Sequence, residues 1–211
     1  MKRILVPIDF SPTSVKALNF AVYFAARVRG SIMTYHLISQ ETTNALGSVY
    51  DIKMINEQKE LNNLKRLQRL CKKVNAAYPR VSISAVVGRK PVTNNILKFA
   101  NENHADLIVM GTQGASGLQR VTVGSIAARV LTKSDIPVLP VPEKYVSGSV
   151  KNIVFTTNFE DADRYAFPFL FELAGHLNAI VTIVNLTTPD ARNMEETEEN
   201  IESYGYVLQR E

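Results

Sequence analysis

The sequence predicts an α/β protein built on a doubly wound parallel sheet. Short apolar runs with high β propensity alternate with longer segments whose apolar residues recur at helical spacing. Strands that are separated by helices pair in parallel through right-handed crossovers. A glycine-rich segment, residues 111–125, lies between a predicted strand and a predicted helix, which is where sheets of this kind bind phosphates.

Five strands are predicted in the first part of the chain. Each is a short run of apolar or alternating residues that is bounded by polar residues, Gly or Pro. In order, they are Arg3–Ile8, Ser31–Leu37, Val81–Val87, Asp106–Met110 and Val138–Val141.

Four helices are predicted between these strands. Gly30 follows the first helix, Pro79 closes the second and Pro91 stands in the first turn of the third. The predicted helices are Thr13–Arg29, Val49–Ala77, Pro91–Asn103 and Gly124–Lys133.

Composition predicts a cytoplasmic protein without a membrane segment. The 211 residues, 45% of them hydrophobic, suffice for one core and the start of a second. The apolar runs are shorter than a membrane span, and Met1–Arg3 lead into a strand instead of a signal peptide. The single cysteine, Cys71, cannot form an internal disulfide, which agrees with a reducing compartment.

The charge distribution argues against nucleic acid as a partner. Residues 190–211 hold seven acids and two bases, so the remainder of a chain of net charge +4 carries +9. Many bases lie on the long second helix without an aromatic platform, which is typical of a solvated helix face. Arg89 and Lys90, at the end of the third strand, could attract phosphates or form a solvated turn.

The glycine-rich segment reads MGTQGASGLQRVTVGS over Met110–Ser125. Glycine lets a ligand approach the backbone, and the amides at a helix start favour an anion. Ser125 adds a hydroxyl donor. Alternatively, Gly111 and Gly114 could serve a tight turn only, and Gly124 close helix packing only.

This glycine spacing resembles the ATP-binding signature of the universal stress protein family: Gly, two residues, Gly, nine residues, Gly, then Ser or Thr. Val6–Ser11 (VPIDFS) is similar to the first strand of the family and its Asp-bearing turn, and Ile136–Val141 (IPVLPV) to its last strand. The resemblance covers a nucleotide-binding domain of residues 1–143. It implies a five-stranded sheet of order 3-2-1-4-5, which would bring Asp9 beside Gly111.

The resemblance also implies a ligand and a set of contacts. The ligand is ATP, which could bind with or without Mg²⁺. The first-strand turn would contact the nucleoside, the residue after the second strand would meet adenine, and the glycine segment would hold ribose and phosphates. The implied residues are Pro7, Ile8, Asp9, Leu37, Met110, Gly111, Gly114, Gly124, Ser125 and Ile126. Asp9 could help to place the metal indirectly, or it could cap the helix that begins near Thr13.

The rest of the chain is similar to a second, shortened copy of the same domain. A shift of 149 residues without a gap aligns Ile4–Leu37 with Ile153–Leu186, largely apolar on apolar. The chain thus resembles a tandem universal stress protein whose partial second repeat covers residues 152–211. This repeat has no second glycine loop, and Asn158 replaces Asp9, so we do not expect it to bind nucleotide.

Three functions remain after this reading. We expect an ATP-binding regulatory or stress-response protein with at most slow hydrolysis, because the sequence shows neither a Walker motif nor a nucleophile beside a base. The alternative is a nucleotide-independent interaction module that dimerises through Val138–Val141. A slow ATPase is a third reading. A homodimer through this apolar edge strand is expected.

Overall fold

The computed structural model describes residues 3–42, 49–112, 124–146, 149–157 and 161–185. The chain divides into two compact units, residues 1–147 and 148–211. The described part of the first unit forms a five-stranded sheet, and that of the second a two-stranded sheet. Gly114 and the last residues of the partial repeat, 186–211, lie outside the described ranges.

The first unit is a doubly wound α/β sheet. Its strands are β1 (Arg3–Pro7), β2 (Ser31–Ile38), β3 (Ser82–Arg89), β4 (Leu107–Gly111) and β5 (Val138–Val141). Its helices are α1 (Pro12–Val28), α2 (Val49–Asn75), α3 (Val92–Glu102) and α4 (Ser125–Lys133). All strand pairs are parallel and the order is β3-β2-β1-β4-β5, so the predicted fold class and strand order are confirmed.

Burial explains why the two central strands read as continuous apolar runs. Ile4, Leu5 and Val6 of β1 are all fully buried, and so is most of β4. A strand in the middle of a doubly wound sheet is covered on both faces, so neither face needs polar residues. β3 lies at one edge, and each of its residues is exposed or half-buried.

Helix α1 is fixed by local signals at both ends. The Ser11 hydroxyl accepts from the Ser14 amide at 3.2 Å as the N-cap, and Pro12 begins the helix. Arg29 adopts a left-handed conformation with φ 52° and ends it. Because Ser11 is the cap, the alternative that Asp9 caps this helix is wrong.

The helices form two layers around the sheet. α1 packs beside α2, and α3 packs beside α4. A core cluster joins the sheet to α3 and α4; it includes Leu5, Ile96, Ile108 and Val130. No helix in the described ranges is both long and apolar enough to cross a membrane.

Cys71 of α2 is a packed residue of this unit. Its thiol is buried and lies 3.3 Å from the Thr34 hydroxyl. Burial raises the pKa of the Cys71 thiol, which keeps it in its neutral, unreactive form.

The segment after β5 is attached to α1. The Lys16 ammonium donates to the carbonyl of Glu143, and the Tyr145 ring meets Phe20 edge-on with centroids 5.7 Å apart. The sequence predicts that Pro142–Lys151 is a linker. The first residues of this segment are nevertheless packed, because the Glu143 carbonyl and the Tyr145 ring both contact α1.

The second unit is a small α/β region in which β6 (Asn152–Thr157) and β7 (Ile180–Asn185) flank α5 (Asp161–Leu177). The two strands pair in parallel. Phe167 and Leu170 of α5 pack against one face of this sheet. On the other face Val154 and Ile180 are 63% and 70% exposed.

The two units share their geometry at an offset of 149 residues. α1 begins at Pro12 and α5 at Asp161, and both helices have 17 residues. Arg3 pairs with Ser31 in the first unit, and Asn152 pairs with Ile180 in the second, at the same offset. The residues that follow the helices, Arg29 and Asn178, both have φ 52°.

Candidate functional site

A cavity of about 350 Å³ lies at the carboxyl ends of the strands of the first unit. This is the edge where the strand order changes direction and where open α/β sheets bind ligands. The cavity brings together nine residues that the sequence predicts for the site: Pro7, Ile8, Asp9, Leu37, Met110, Gly111, Gly124, Ser125 and Ile126. Gly114, the tenth, lies outside the described residues.

Six further described residues line the cavity that the sequence did not assign to it: Ser14, Tyr35, Val92, Ile96, Thr112 and Ala127. A seventh, Lys90, is one of the two bases for which the sequence left a phosphate contact open. Two spacings could have indicated some of them. Tyr35 lies two residues before Leu37 on β2 and therefore shares its face, and Val92 and Ile96 are four residues apart on α3.

Gly111 has a packing reason to be glycine. A Cβ atom added there would lie 2.8 Å from the main-chain carbonyl carbon of Thr13 and 2.9 Å from its Cβ. The end of β4 therefore approaches the start of α1 more closely than any other residue would permit. This supports the structural reading of Gly111, and it also leaves bare backbone on the cavity wall.

Gly124 is different, because its backbone does not require glycine. It has φ −60° and ψ 151°, an extended conformation that other residues adopt readily. Its amide donates to the Thr112 carbonyl at 2.6 Å, which joins the end of β4 to the start of α4. Gly124 lines the cavity, so a side chain here would change the cavity wall without straining the backbone.

The first residues of α4, Ser125 and Ile126, form one end of the cavity. No side chain caps this helix within the described residues, whereas Ser11 caps α1. The first helical bond runs from the Ala128 amide to the Gly124 carbonyl at 2.9 Å, so the amides before Ala128 precede the bonded turns. Such amides, together with the positive end of the helix dipole, attract phosphate.

Asp9 forms the wall of the cavity next to this end. Its Oδ1 atom accepts from the Ser11 amide at 2.9 Å and from the Ser11 hydroxyl at 2.5 Å. These two donors orient the carboxylate. Ser11 thus holds the Asp9 carboxylate in place at the cavity wall.

The other end of the cavity is apolar and aromatic. The Tyr35 ring stacks on Phe99 with centroids 4.2 Å apart. Its hydroxyl occupies the space that a side chain at Gly88 would need, since a Cβ there would lie 2.1 Å from it. Burial and, to a smaller degree, the charge of Glu102 raise the pKa of Tyr35, so this hydroxyl is neutral and can donate.

Two ionisable side chains of opposite charge line the cavity within the described residues, Asp9 and Lys90. Arg89 is directed elsewhere, because its Nη2 lies 3.8 Å from Glu60 of α2. Of the two bases at the end of β3, the solvated reading therefore suits Arg89, while Lys90 belongs to the cavity.

The described side chains could hold a metal ion only if a bound ligand supplied further metal-binding atoms. No group of three His, Cys, Asp or Glu side chains lies close enough there to hold an ion. Mg²⁺ is often bound by one carboxylate, substrate phosphates and water. Asp9 fits this indirect role, since it faces the cavity and is already oriented by Ser11.

Fold and cavity together define a class: an α/β protein with a cavity at the switch point of its doubly wound sheet. Residues 1–142 match the profile of the universal stress protein family. The chain belongs to this family.

Relatives and a solved structure agree with this assignment. The chain is 29% identical to universal stress protein MJ0531 of Methanocaldococcus jannaschii over 66% of its own length and 81% of the relative. It is 33% identical to YxiE of Bacillus subtilis, over 65% of this chain and 96% of the relative. The fold of a universal stress protein from Archaeoglobus fulgidus covers 96% of this chain and 74% of that one, with a TM-score of 0.69 and 19% identity.

Other solved universal stress proteins hold nucleotides. One is in complex with cAMP. The match covers 66% of this chain and 96% of that protein, at 21% identity and a TM-score of 0.49. Another, from Archaeoglobus fulgidus, is in complex with dAMP. The match covers 67% of this chain and 98% of that protein, at 20% identity and a TM-score of 0.46.

Proposed function

We propose that this protein binds ATP in the cavity of its first unit and acts as a regulatory or stress-response protein. One observation carries the proposal. The start of α4, which no described side chain caps, and the bare backbone of Gly111 and Gly124 form one end of a cavity whose other end is apolar and aromatic. A ligand that fits both ends has an anionic part and a flat, apolar part, as a nucleotide has.

The proposed contacts follow from this division. The phosphates lie against the amide and hydroxyl of Ser125 and the backbone of Gly124, and Gly114, outside the described residues, remains a predicted contact of the same glycine segment. The ribose meets Met110 and Gly111, and the adenine lies near Leu37. Pro7, Ile8 and Asp9 close the nucleoside side, and Asp9 helps to place Mg²⁺ through the phosphates and water.

Binding without rapid chemistry is the activity that the side chains support. Asp9 is the only carboxylate among the described lining residues, and Ser11 already occupies its Oδ1 atom. General-base catalysis requires a base within reach of the attacking water. We therefore propose at most slow ATP hydrolysis.

The assembly and location belong to the same proposal. β5 is an edge strand, since it pairs with β4 and has no second neighbour in the described sheet. An open apolar edge can pair with another copy, so we propose a homodimer through β5. A lone buried cysteine suits the cytoplasm. An interaction module that dimerises without nucleotide is the alternative function, and this same edge supports it.

The test begins with the nucleotide content of the purified protein. Heat-denatured protein should release ATP, and nucleotide-free protein should bind ATP by calorimetry in the presence of Mg²⁺. Absence of both would refute the ATP proposal and favour the interaction module. A turnover that Asp9→Ala abolishes would instead establish an ATPase.

A further inference from the structure

The turn after β1 is contacted from two sides. Ile8 and Asp9 face the cavity, and Tyr35 and Leu37 of β2 line it beside them. His36 lies between Tyr35 and Leu37 on the strand, so its side chain points to the other face of the sheet. The ring of His36 contacts the turn there, 2.7 Å from the Ile8 carbonyl oxygen and 4.6 Å from the Phe10 ring centroid.

The backbone of Ile8 is held through both of its polar groups. Its amide donates to the Tyr35 carbonyl at 2.9 Å, which extends the pairing of β1 with β2 by one residue. Its carbonyl oxygen can only accept, so the His36 Nδ1 atom at 2.7 Å must carry a proton. The orientation of the peptide between Ile8 and Asp9 therefore depends on a side chain that does not line the cavity.

The second unit contains the same contact with a different side chain. Asn185 Nδ2 donates to the Thr157 carbonyl at 2.8 Å, and these two residues are 149 positions beyond His36 and Ile8. An amide and an imidazole differ in shape and in acid–base chemistry, but each can direct an N–H donor at this carbonyl. In both units, the side chain at this position therefore supplies an N–H donor to the carbonyl at the end of the unit's first strand.

Phe10 adds a second reason for the turn to need support. Its φ is 63°, in the left-handed region that an aromatic residue rarely adopts. Its ring contacts His36, and the Arg66 guanidinium of α2 lies 3.9 Å from the ring centroid. These contacts stabilise a turn that would otherwise relax, and Asp9 lies inside that turn.

We propose that His36 is a positioning residue of the nucleotide site. By donating to Ile8 from the face opposite the cavity, it fixes the peptide that orients Asp9 toward the ligand. His36 touches no part of the ligand itself. The inference rests on the proposed nucleotide binding and adds a residue that neither the cavity nor the glycine spacing reveals.

Two substitutions separate the donor from the ring. His36→Asn retains an N–H donor, as Asn185 does, but removes the ring. His36→Phe retains a ring against Phe10 but removes the donor, leaving the Ile8 carbonyl without it. We expect His36→Phe to weaken ATP binding about tenfold by calorimetry, and His36→Asn to stay within about threefold of the native protein.

A matched control excludes a general loss of stability. Val22→Ala creates a void in α1, away from the turn, and should lower the unfolding temperature while leaving the ATP affinity unchanged. Long-range nitrogen-15 spectra of the native protein should show a proton on His36 Nδ1. These results together support the positioning role.

Three outcomes would overturn the inference. They are an unchanged affinity in folded His36→Phe protein, equal losses in the two His36 variants, or an unprotonated Nδ1. In these cases native protein still binds ATP, so only the role of His36 fails. Native protein that binds no nucleotide would instead refute the proposed function together with this inference.

Discussion

Gly124 tests the proposed phosphate site at the level of one residue. Its extended backbone is one that valine adopts readily, so Gly124→Val should keep the fold. The added side chain would occupy the space beside the α4 amides, and we expect loss of ATP binding by calorimetry. Gly175→Ala is the control, because a Cβ there meets nothing within 4 Å. Unchanged ATP affinity in folded Gly124→Val protein would disprove the phosphate assignment.

Lys90 should act on the base end of the ligand. It follows β3, three strand spacings from β4, so it lies roughly 14 Å along the sheet from the glycine segment. We expect Lys90→Met to weaken the binding of ATP and of AMP by the same factor, about fivefold. A contact with the outer phosphates would weaken ATP alone.

The control for Lys90 is its neighbour. Arg89→Met removes an equal charge from a side chain that is directed to Glu60 of α2, and it should leave both affinities unchanged. Equal losses in the two variants would show that overall charge, and not a contact in the cavity, attracts the ligand.

At the scale of elements, a substitution at Gly111 tests how closely β4 packs against α1. Gly111→Ala places a Cβ 2.8 Å from the main-chain carbonyl carbon of Thr13, and backbone cannot rotate away as a side chain can. We expect a loss of about 1–3 kcal/mol in the free energy of unfolding by denaturant titration. Shortening the Thr13 side chain in the same protein should not restore the lost stability, because the main chain of Thr13 would still be in the way. Full stability of Gly111→Ala would show that this approach is loose.

The edge of β5 makes the dimer proposal testable. The Pro137 carbonyl accepts from Ile108 of β4 and the Val141 carbonyl from Thr112, the residue after β4. Alternation along β5 therefore directs the Val138 amide to the open edge. Val138→Pro removes that donor without breaking a bond to β4. We expect light scattering at roughly 10–50 µM to show dimers of native protein and monomers of the variant. A native protein that is monomeric there contradicts the proposal.

The elements that the sequence predicts well are those with a local cause. β1 and β4 are found because both faces are buried and the apolar runs are continuous. α2 ends at Asn75, two residues before the predicted end, because Ala76 and Ala77 favour helix locally but form the turn before Pro79. The sequence leaves Lys90 open between a phosphate contact and a solvated turn, because pairing between strands, not spacing along one, places it at the cavity.

The whole molecule combines a complete sheet with a small one. In the first unit Leu5 of β1 is fully buried under the α3 and α4 layer, and β4 pairs alongside. Val154, the residue at the same place in β6, is 63% exposed. The second unit therefore has, in its described part, one covered face and one bare face.

This difference predicts how the two units behave when separated. Two parallel strands with one helix bury too little apolar surface to fold alone. We expect a 1–147 fragment to unfold cooperatively and to bind ATP as the full chain does, because every described lining residue belongs to it. A 148–211 fragment should show no cooperative thermal transition by circular dichroism. If that fragment unfolds cooperatively as a monomer, or if the 1–147 fragment fails to fold, then the stability of the chain is shared between the units in a way that their separate cores do not explain.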